Sequence, residues 1–152
     1  MFPNKAILLG NMITHWGPAM NFIEATSTCF KKYATFRGRA RRSEYWYFFL
    51  ALFIAGLIAD ALDTHFLKSV GLYGPFDAIL TLVVILPSIS VSVRRLHDIN
   101  QSGYWLLILF VPIVGWVAYF FMTIQDGTIG PNPYGNDPKG REAPATMPTG
   151  ES

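Results

Sequence analysis

The sequence predicts an all-α membrane protein in which three transmembrane helices follow a short amphipathic N-terminal helix. Three observations predict this. Of the 152 residues, 51% are hydrophobic and only 14% are charged, whereas soluble domains carry about 25% charged residues. Three long apolar runs stand at 46–62, 76–93 and 104–124, and roughly 17–25 such residues carry a helix across the hydrocarbon of a bilayer. Lys and Arg gather before the first run and between the second and third, as they do on one side of a membrane. So short a chain has too little polar surface to cover three such helices in water. Open strands are excluded in lipid because their backbone groups would go unpaired.

The elements follow in order. Residues 1–19 show no clear period, and Met20 stands directly before the first periodic stretch. Met20 is therefore expected to be the natural start, with 1–19 an extension. Asn21 to Ala34, NFIEATSTCFKKYA, sets Phe22, Ile23, Phe30, Tyr33 and Ala34 against Lys31 and Lys32. It reads as a short amphipathic helix, lying on the membrane surface or packed on the bundle. The lone cysteine in it, Cys29, has no disulfide partner and is expected as a reduced thiol.

The first span, WYFFLALFIAGLIADAL, carries Ala51, Ala55 and Ala59 at four-residue spacing, a stripe that lets another helix approach closely. The second, FDAILTLVVILPSISVSV, follows Pro75, which suits a first helical turn. Pro87 inside it removes one backbone hydrogen bond and predicts a kink. The third, YWLLILFVPIVGWVAYFFMTI, is uncharged and holds Pro112 and Gly115 at mid-depth, so it either kinks or turns back. Beyond it GTIGPNPYGNDP is rich in turn residues and is expected to be ordered against the membrane surface. Residues 139–152 are expected to be disordered.

Orientation follows from the charges. Lys31, Lys32, Arg37, Arg39, Arg41, Arg42, Arg94 and Arg95 share one side of a three-span topology, against Lys68, Lys139 and Arg141 on the other. The N-terminal region and the second loop are therefore predicted to be cytoplasmic. A third span that crosses leaves the tail outside; one that folds back at Pro112 returns it to the cytoplasm. Tyr45, Trp46, Tyr104 and Trp105 mark the headgroup level at the same face.

The densest chemistry is FRGRARRSEYW (Phe36 to Trp46) together with VRRLHD (Val93 to Asp98). A net charge of +2 argues against a nucleic-acid binder. His97 and Asp98 are adjacent, but the other histidines, His15 and His65, do not complete a metal site. No HExxH, nucleophile elbow or phosphate loop occurs, so no catalytic residue, metal or cofactor is assigned and no enzyme is expected. The economical reading is an interfacial charge network of Arg37, Arg39, Arg41, Arg42, Glu44, Arg94, Arg95, His97 and Asp98. In it Glu44 pairs with Arg94 or Arg95, and Asp98 with Arg41 or Arg42. Such pairs can fix how helices meet, and surplus arginines would contact the anionic headgroups of membrane lipids. The chain is then a structural or accessory protein, working as a homo-oligomer or beside another membrane protein. Two alternatives stand. Asp60 and Asp77 could serve a small-solute or ion transporter, as charges within spans often do. Arg39, Arg42, Arg95 and His97 could line a pocket for an anionic ligand.

KYATFRGRARRSEYWYF, LPSISVSVRRLHDINQSGYWLL and GTIGPNPYGNDP, in this order and spacing, resemble the DUF805 family of small bacterial inner-membrane proteins. The resemblance spans roughly Met20 to Pro138. It implies a helical fold and a bacterial inner-membrane location, supports Met20 as a natural start, and brings no catalytic residues with it.

Overall fold

A computed structural model describes residues 20–67 and 74–141, and within them the fold is all-helical. The expected extension at 1–19, Lys68 in the first loop and the tail after Arg141 lie outside the described residues. Four α-helices and one 3-10 helix follow in order: α1 Phe22–Lys31, α2 Arg42–Leu67, α3 Pro75–Asp98, the 3-10 helix Gly103–Phe110, and α4 Val114–Ile124.

Helix α1 starts on a capping box. The Asn21 side chain accepts from the Glu24 amide at 2.8 Å, and the Glu24 carboxylate accepts from the Asn21 amide, so two orphan donors of the first turn are satisfied. Its buried side carries Ala25 and Cys29, and Phe22 and Phe30 meet Tyr47 and Phe48 of α2 edge to face. Of the two expected placements, packing on the bundle is the one found.

Helices α2 and α3 run antiparallel, as two polar contacts at opposite ends show. Glu44 near the start of α2 meets Arg94 near the end of α3. At the other end, the Asp63 carboxylate accepts from the amides of Phe76 and Asp77, each at 3.1 Å, and so caps α3 from the neighbouring helix. A Cβ at Gly74 would lie 2.0 Å from the Asp63 carboxyl carbon, so this close approach requires glycine. Between these ends the alanine stripe faces inward: Ala59 is buried and Ala51 and Ala55 are half-buried, while Phe53, Leu57 and Ile58 point out. Only 17% and 22% of the most apolar windows of the two helices are buried. A core helix of a soluble protein would be mostly covered; here the apolar side chains face outward.

Pro87 is fully buried within α3. Lacking an N–H, it leaves the carbonyl of Val83, four residues earlier, without its helical donor. The Tyr33 hydroxyl donates to that carbonyl at 2.6 Å. One turn on, Ser90 reaches back from α3 to the Thr35 and Lys32 carbonyls at 2.6 and 3.1 Å; its single proton serves one at a time. The segment after α1 is thus tied to α3 where proline opens the helix.

The third expected span is not one helix. The 3-10 helix ends at Phe110, Ile113 takes φ 65°, and α4 begins at Val114. A positive φ is costly for a β-branched residue, and it marks a sharp reversal after Pro112. A Cβ at Gly115 would lie 1.8 Å from the Ile108 carbonyl oxygen, so only glycine lets the two arms close. The Trp116 indole donates to the Leu109 carbonyl at 3.0 Å, and the Val111 and Gly115 amides find carbonyls within the turn. Both ends of this hairpin lie at the same end of α3: the Gln101 amide bonds to the Leu96 carbonyl, and the Thr128 amide to the Asp98 carbonyl. In place of the expected continuous third helix, the chain forms a hairpin whose two ends lie together at one end of α3. The cause is Pro112 and Gly115, which favour reversal over a continuous helix.

The Tyr33 contact yields a test. Tyr33→Phe should cost about 1 kcal/mol, the usual net value of a hydrogen bond. In a Pro87→Ala background the restored amide can serve Val83, and the same substitution should then cost close to nothing. Reversible unfolding in mixed micelles measures the four corners of the cycle; equal costs in both backgrounds would mean that the two residues are not coupled.

Candidate functional site

The arginine end is built from four segments. The loop before α2 supplies Arg39, α2 supplies Glu44, the last turn of α3 supplies Arg94, Arg95 and Asp98, and residues 123–138 lie across them. Asp98 is the junction. Its Oδ1 accepts from Arg39 Nε at 2.9 Å and its Oδ2 from Arg95 Nη1 at 2.6 Å, with all three side chains at most 2% exposed. A Cβ at Gly127 would stand 2.1 Å from Asp98 Oδ2, so the chain after α4 can pass this carboxylate only as glycine.

Arg39 is fully used. A guanidinium has five N–H donors, and five acceptors lie within reach: Asp98 Oδ1, and the carbonyls of Gly130 (2.6 Å), Thr128 (2.5 Å), Asp98 (3.4 Å) and Gly135 (3.5 Å). Arg95 serves the end of α4. Its Nε donates to the Thr123 carbonyl at 3.2 Å and its Nη2 to the Gln125 carbonyl. Arg42 donates to the Ile124 carbonyl at 3.1 Å. The last carbonyls of a helix have no intrahelical donor; at α4 two arginine side chains supply three of them. Arg94 differs. Its Nη1 meets Glu44 Oε1 at 2.5 Å, while its Nε and Nη2 are buried without an acceptor among the described residues.

Most of the site residues named from sequence meet here. Glu44 pairs with Arg94, one of its two expected partners. Asp98 does not pair with Arg41 or Arg42 as expected, but with Arg39 and Arg95. The reason is position: Arg41 donates to the Pro138 carbonyl and Arg42 faces Asp126 at 3.7 Å, both farther out on the return segment. Arg37 is exposed and takes no part in the network. His97 stands beside it, its Nδ1 3.2 Å from the Gly38 carbonyl and its ring stacked on Tyr134 at 4.0 Å. Arg39 and Arg95 are spent on Asp98 and on carbonyls, so the set Arg39, Arg42, Arg95 and His97 does not form one pocket.

Sequence reasoning passed over the return segment's own charges. Asp126 receives Lys139 at 2.5 Å and Arg141 at 3.2 Å, and Asp137 receives Arg141 at 2.7 Å. Lys139 and Arg141, assigned from sequence to a disordered tail, are held here. The alternation of acid and base in the loop was the available signal. It also passed over Cys29 as a neighbour of Glu44. The thiol lies 3.9 Å from Glu44 Oε1, and burial, then the Glu44 charge, pushes its pKa up to about 12, so it is a neutral, unreactive thiol. Among the described residues no group of His, Cys, Asp and Glu is arranged to hold a metal ion.

Membrane-length helices with outward apolar faces, closed at one end by a buried arginine–carboxylate network, define a helical membrane protein. The comparisons agree. Residues 33–136 match the family described as "Protein of unknown function (DUF805)", and the chain belongs to it. It is 43% identical over 110 residues to inner membrane protein YhaI of Escherichia coli strain K12, covering 72% of this chain and 90% of that one. To inner membrane protein YhaH of the same organism it is 40% identical over 110 residues, covering 72% and 91%. No solved structure matches the chain.

Two tests follow from the network. Glu44→Arg and Arg94→Glu each leave a buried charge unpaired and should each cost about 3–5 kcal/mol. The double reversal should recover a substantial part of that loss in thermal or denaturant unfolding, and additive losses would show that the two do not act as a pair. The second test concerns acid. For Asp137 burial acts upward, but the Arg141 hydrogen bond and the Lys139 amide outweigh it and hold the carboxyl below its usual range. For Asp126 burial likewise acts upward and Lys139 prevails, with the same direction. A depressed folded pKa gives stability that is complete above the unfolded carboxylate value, about 3.9, and is lost as pH falls through the folded value. Protection factors at the Lys139 and Gly140 amides, taken relative to intrinsic exchange at each pH, should therefore hold constant from neutral pH to about pH 4 and fall below it. A fall in protection between about pH 6 and 8 would contradict these pairs.

Proposed function

We propose that the chain is a structural or accessory protein of a bacterial inner membrane, without chemistry of its own. The observation that carries this is the complete internal use of Arg39: a guanidinium with five protein acceptors is a lock between segments, not a free ligand-binding group. Arg95 is used in the same way. In this reading α2 and α3 cross the bilayer, the 3-10 helix and α4 dip in and return, and the arginine end faces the cytoplasm together with the N-terminal helix and the chain at Arg141. The positive charge bias supports that orientation, and the names of the relatives support the inner membrane as the location. The exposed cations Lys31, Lys32 and Arg37 are left for anionic lipid headgroups, each contributing about 1 kcal/mol near the surface.

The topology is tested by reporters fused at the two termini. Both should report the cytoplasm, and a periplasmic C-terminus would replace the hairpin with a third crossing. The lipid contact is tested by replacing Lys31, Lys32 and Arg37 with Gln. In mixed phosphatidylglycerol and phosphatidylcholine nanodiscs holding the protein, the enrichment of phosphatidylglycerol around it should fall at low salt with unfolding unchanged, and an unaltered enrichment would place the contact elsewhere.

A further inference from the structure

A second feature of this end is not used by the network. A groove of about 450 Å³ runs between the loop before α2, the end of α3 and the start of the hairpin, lined by Phe36, Val93, His97, Ser102, Gly103 and Tyr104. A neighbouring hollow shares Ser102 and Tyr104 and adds Trp105 and Ile108. The walls are mostly apolar and aromatic, and the polar groups are few and placed.

His97 is the placed one. The Gly38 carbonyl can only accept, so Nδ1, 3.2 Å from it, carries the proton of the neutral ring. That makes Nε2 the acceptor. Stacking on Tyr134, with the rings 6° from parallel, holds the imidazole plane. Nε2 lies 3.6 Å from where a Gly103 Cβ would stand, on the groove side, and no described residue donates to it. Ser102 Oγ accepts from the Tyr104 amide at 3.4 Å, which leaves its proton to donate. The groove thus offers one fixed acceptor and one donor beneath aromatic walls. Gly103 keeps the hairpin close, since a Cβ there would meet Val93 Cγ1 at 2.8 Å.

We infer that this groove binds the polar head of a membrane amphipath that donates an N–H or O–H hydrogen bond to His97 Nε2. An ionised phosphate alone is a poor match, because it too is an acceptor. A head carrying a donor beside an acceptor fits both His97 and Ser102. Two sources have that chemistry: the ammonium group of an ethanolamine phospholipid and the hydroxyl of a lipid-soluble quinol. The site goes beyond the contact with anionic headgroups proposed above, because it selects for a donor and lies apart from Lys31 and Lys32. It rests only on the membrane location of this end.

Paired probes test it on the full-length protein in detergent at neutral pH. Dihexanoyl phosphatidylethanolamine is compared with dihexanoyl phosphatidylcholine, whose methylated ammonium has no N–H. Decyl quinol is compared with its quinone, which has lost its O–H donors. In at least one pair the donor-bearing member should bind about fivefold tighter, the size of one net hydrogen bond, and should move the His97 Nε2 nitrogen resonance. The pair that responds identifies the source. His97→Phe keeps a flat ring against Tyr134 and should abolish the preference. Tyr104→Ala, at a side chain already 82% exposed, should weaken binding of both members without loss of fold. Absence of a preference in both pairs, or a preference that survives His97→Phe, overturns the assignment. If His97→Phe fails to fold, the wild-type nitrogen resonance decides: a donor probe that leaves it unmoved overturns the assignment equally.

Discussion

The structure depends on one carboxylate held between two buried arginines. Asp98 spends each oxygen on a different guanidinium, and each guanidinium then reaches a different segment: Arg39 the turns from Thr128 to Gly135, Arg95 the end of α4. Without Asp98 both cations would be buried against carbonyls alone, and unpaired buried charge is among the largest costs a fold can carry. The junction therefore links the loop before α2, α3 and the whole return segment. Gly127 is part of the same constraint, since any larger residue would occupy the space of the Asp98 oxygens.

The setting explains why so much polarity is concentrated at one end. Apolar helices surrounded by lipid gain little by burying apolar surface against each other, because the tails are as apolar as the side chains. Close approach along an alanine stripe supplies contact but little register. Register between α2 and α3 comes from the ends: Asp63 on the first amides of α3, and Glu44 on Arg94. The hairpin has the same difficulty in sharper form. It is too short to cross, and it satisfies its own reversal internally while its open carbonyls at Thr123, Ile124 and Gln125 fall where Arg95 and Arg42 can reach them. A helix end with no donors in lipid would be costly; placed at the arginine end, it becomes the point of attachment.

Much of this was legible in the sequence, and what was not has physical reasons. Length and hydropathy were enough for α2 and α3, and the arginines with Glu44 and Asp98 announced a network. The third segment misled because hydropathy counts apolar residues without regard to path. A run long enough to cross once is also long enough to go in and come back, and Pro112 with Gly115 left both readings open. Partner choice misled in a related way. Arg41 and Arg42 stand at the start of α2 and by sequence are the natural partners of Asp98, but the return segment lies over them, and Arg39 is the one its loop carries inward. Asp63, Asp126 and Asp137 carry no motif. For Asp63 the role depends on the antiparallel meeting of α2 and α3, and for Asp126 and Asp137 on the hairpin's reversal.

The three buried arginines differ in how completely they are satisfied, and that difference ranks their roles. Arg39 has an acceptor for every donor, and four of its five acceptors are backbone carbonyls, three in the turns from Thr128 to Gly135 and one at the end of α3. Lysine has three donors on a flexible stem and cannot reproduce that fork; Arg39 therefore specifies a shape as well as a charge. Arg95 has two backbone carbonyls and half of Asp98, and its work is to end α4. Arg94 has Glu44 and two buried donors without an acceptor among the described residues, so its Coulomb partner carries nearly all of its compensation. A pair so dependent on one contact contributes little net stability yet is costly to break. It is suited to choosing one arrangement of α1, α2 and α3 over the others that apolar packing alone would allow. The end of the bundle is thus specified twice, once by shape through Arg39 and once by charge through Arg94, and Asp98 joins the first to the hairpin.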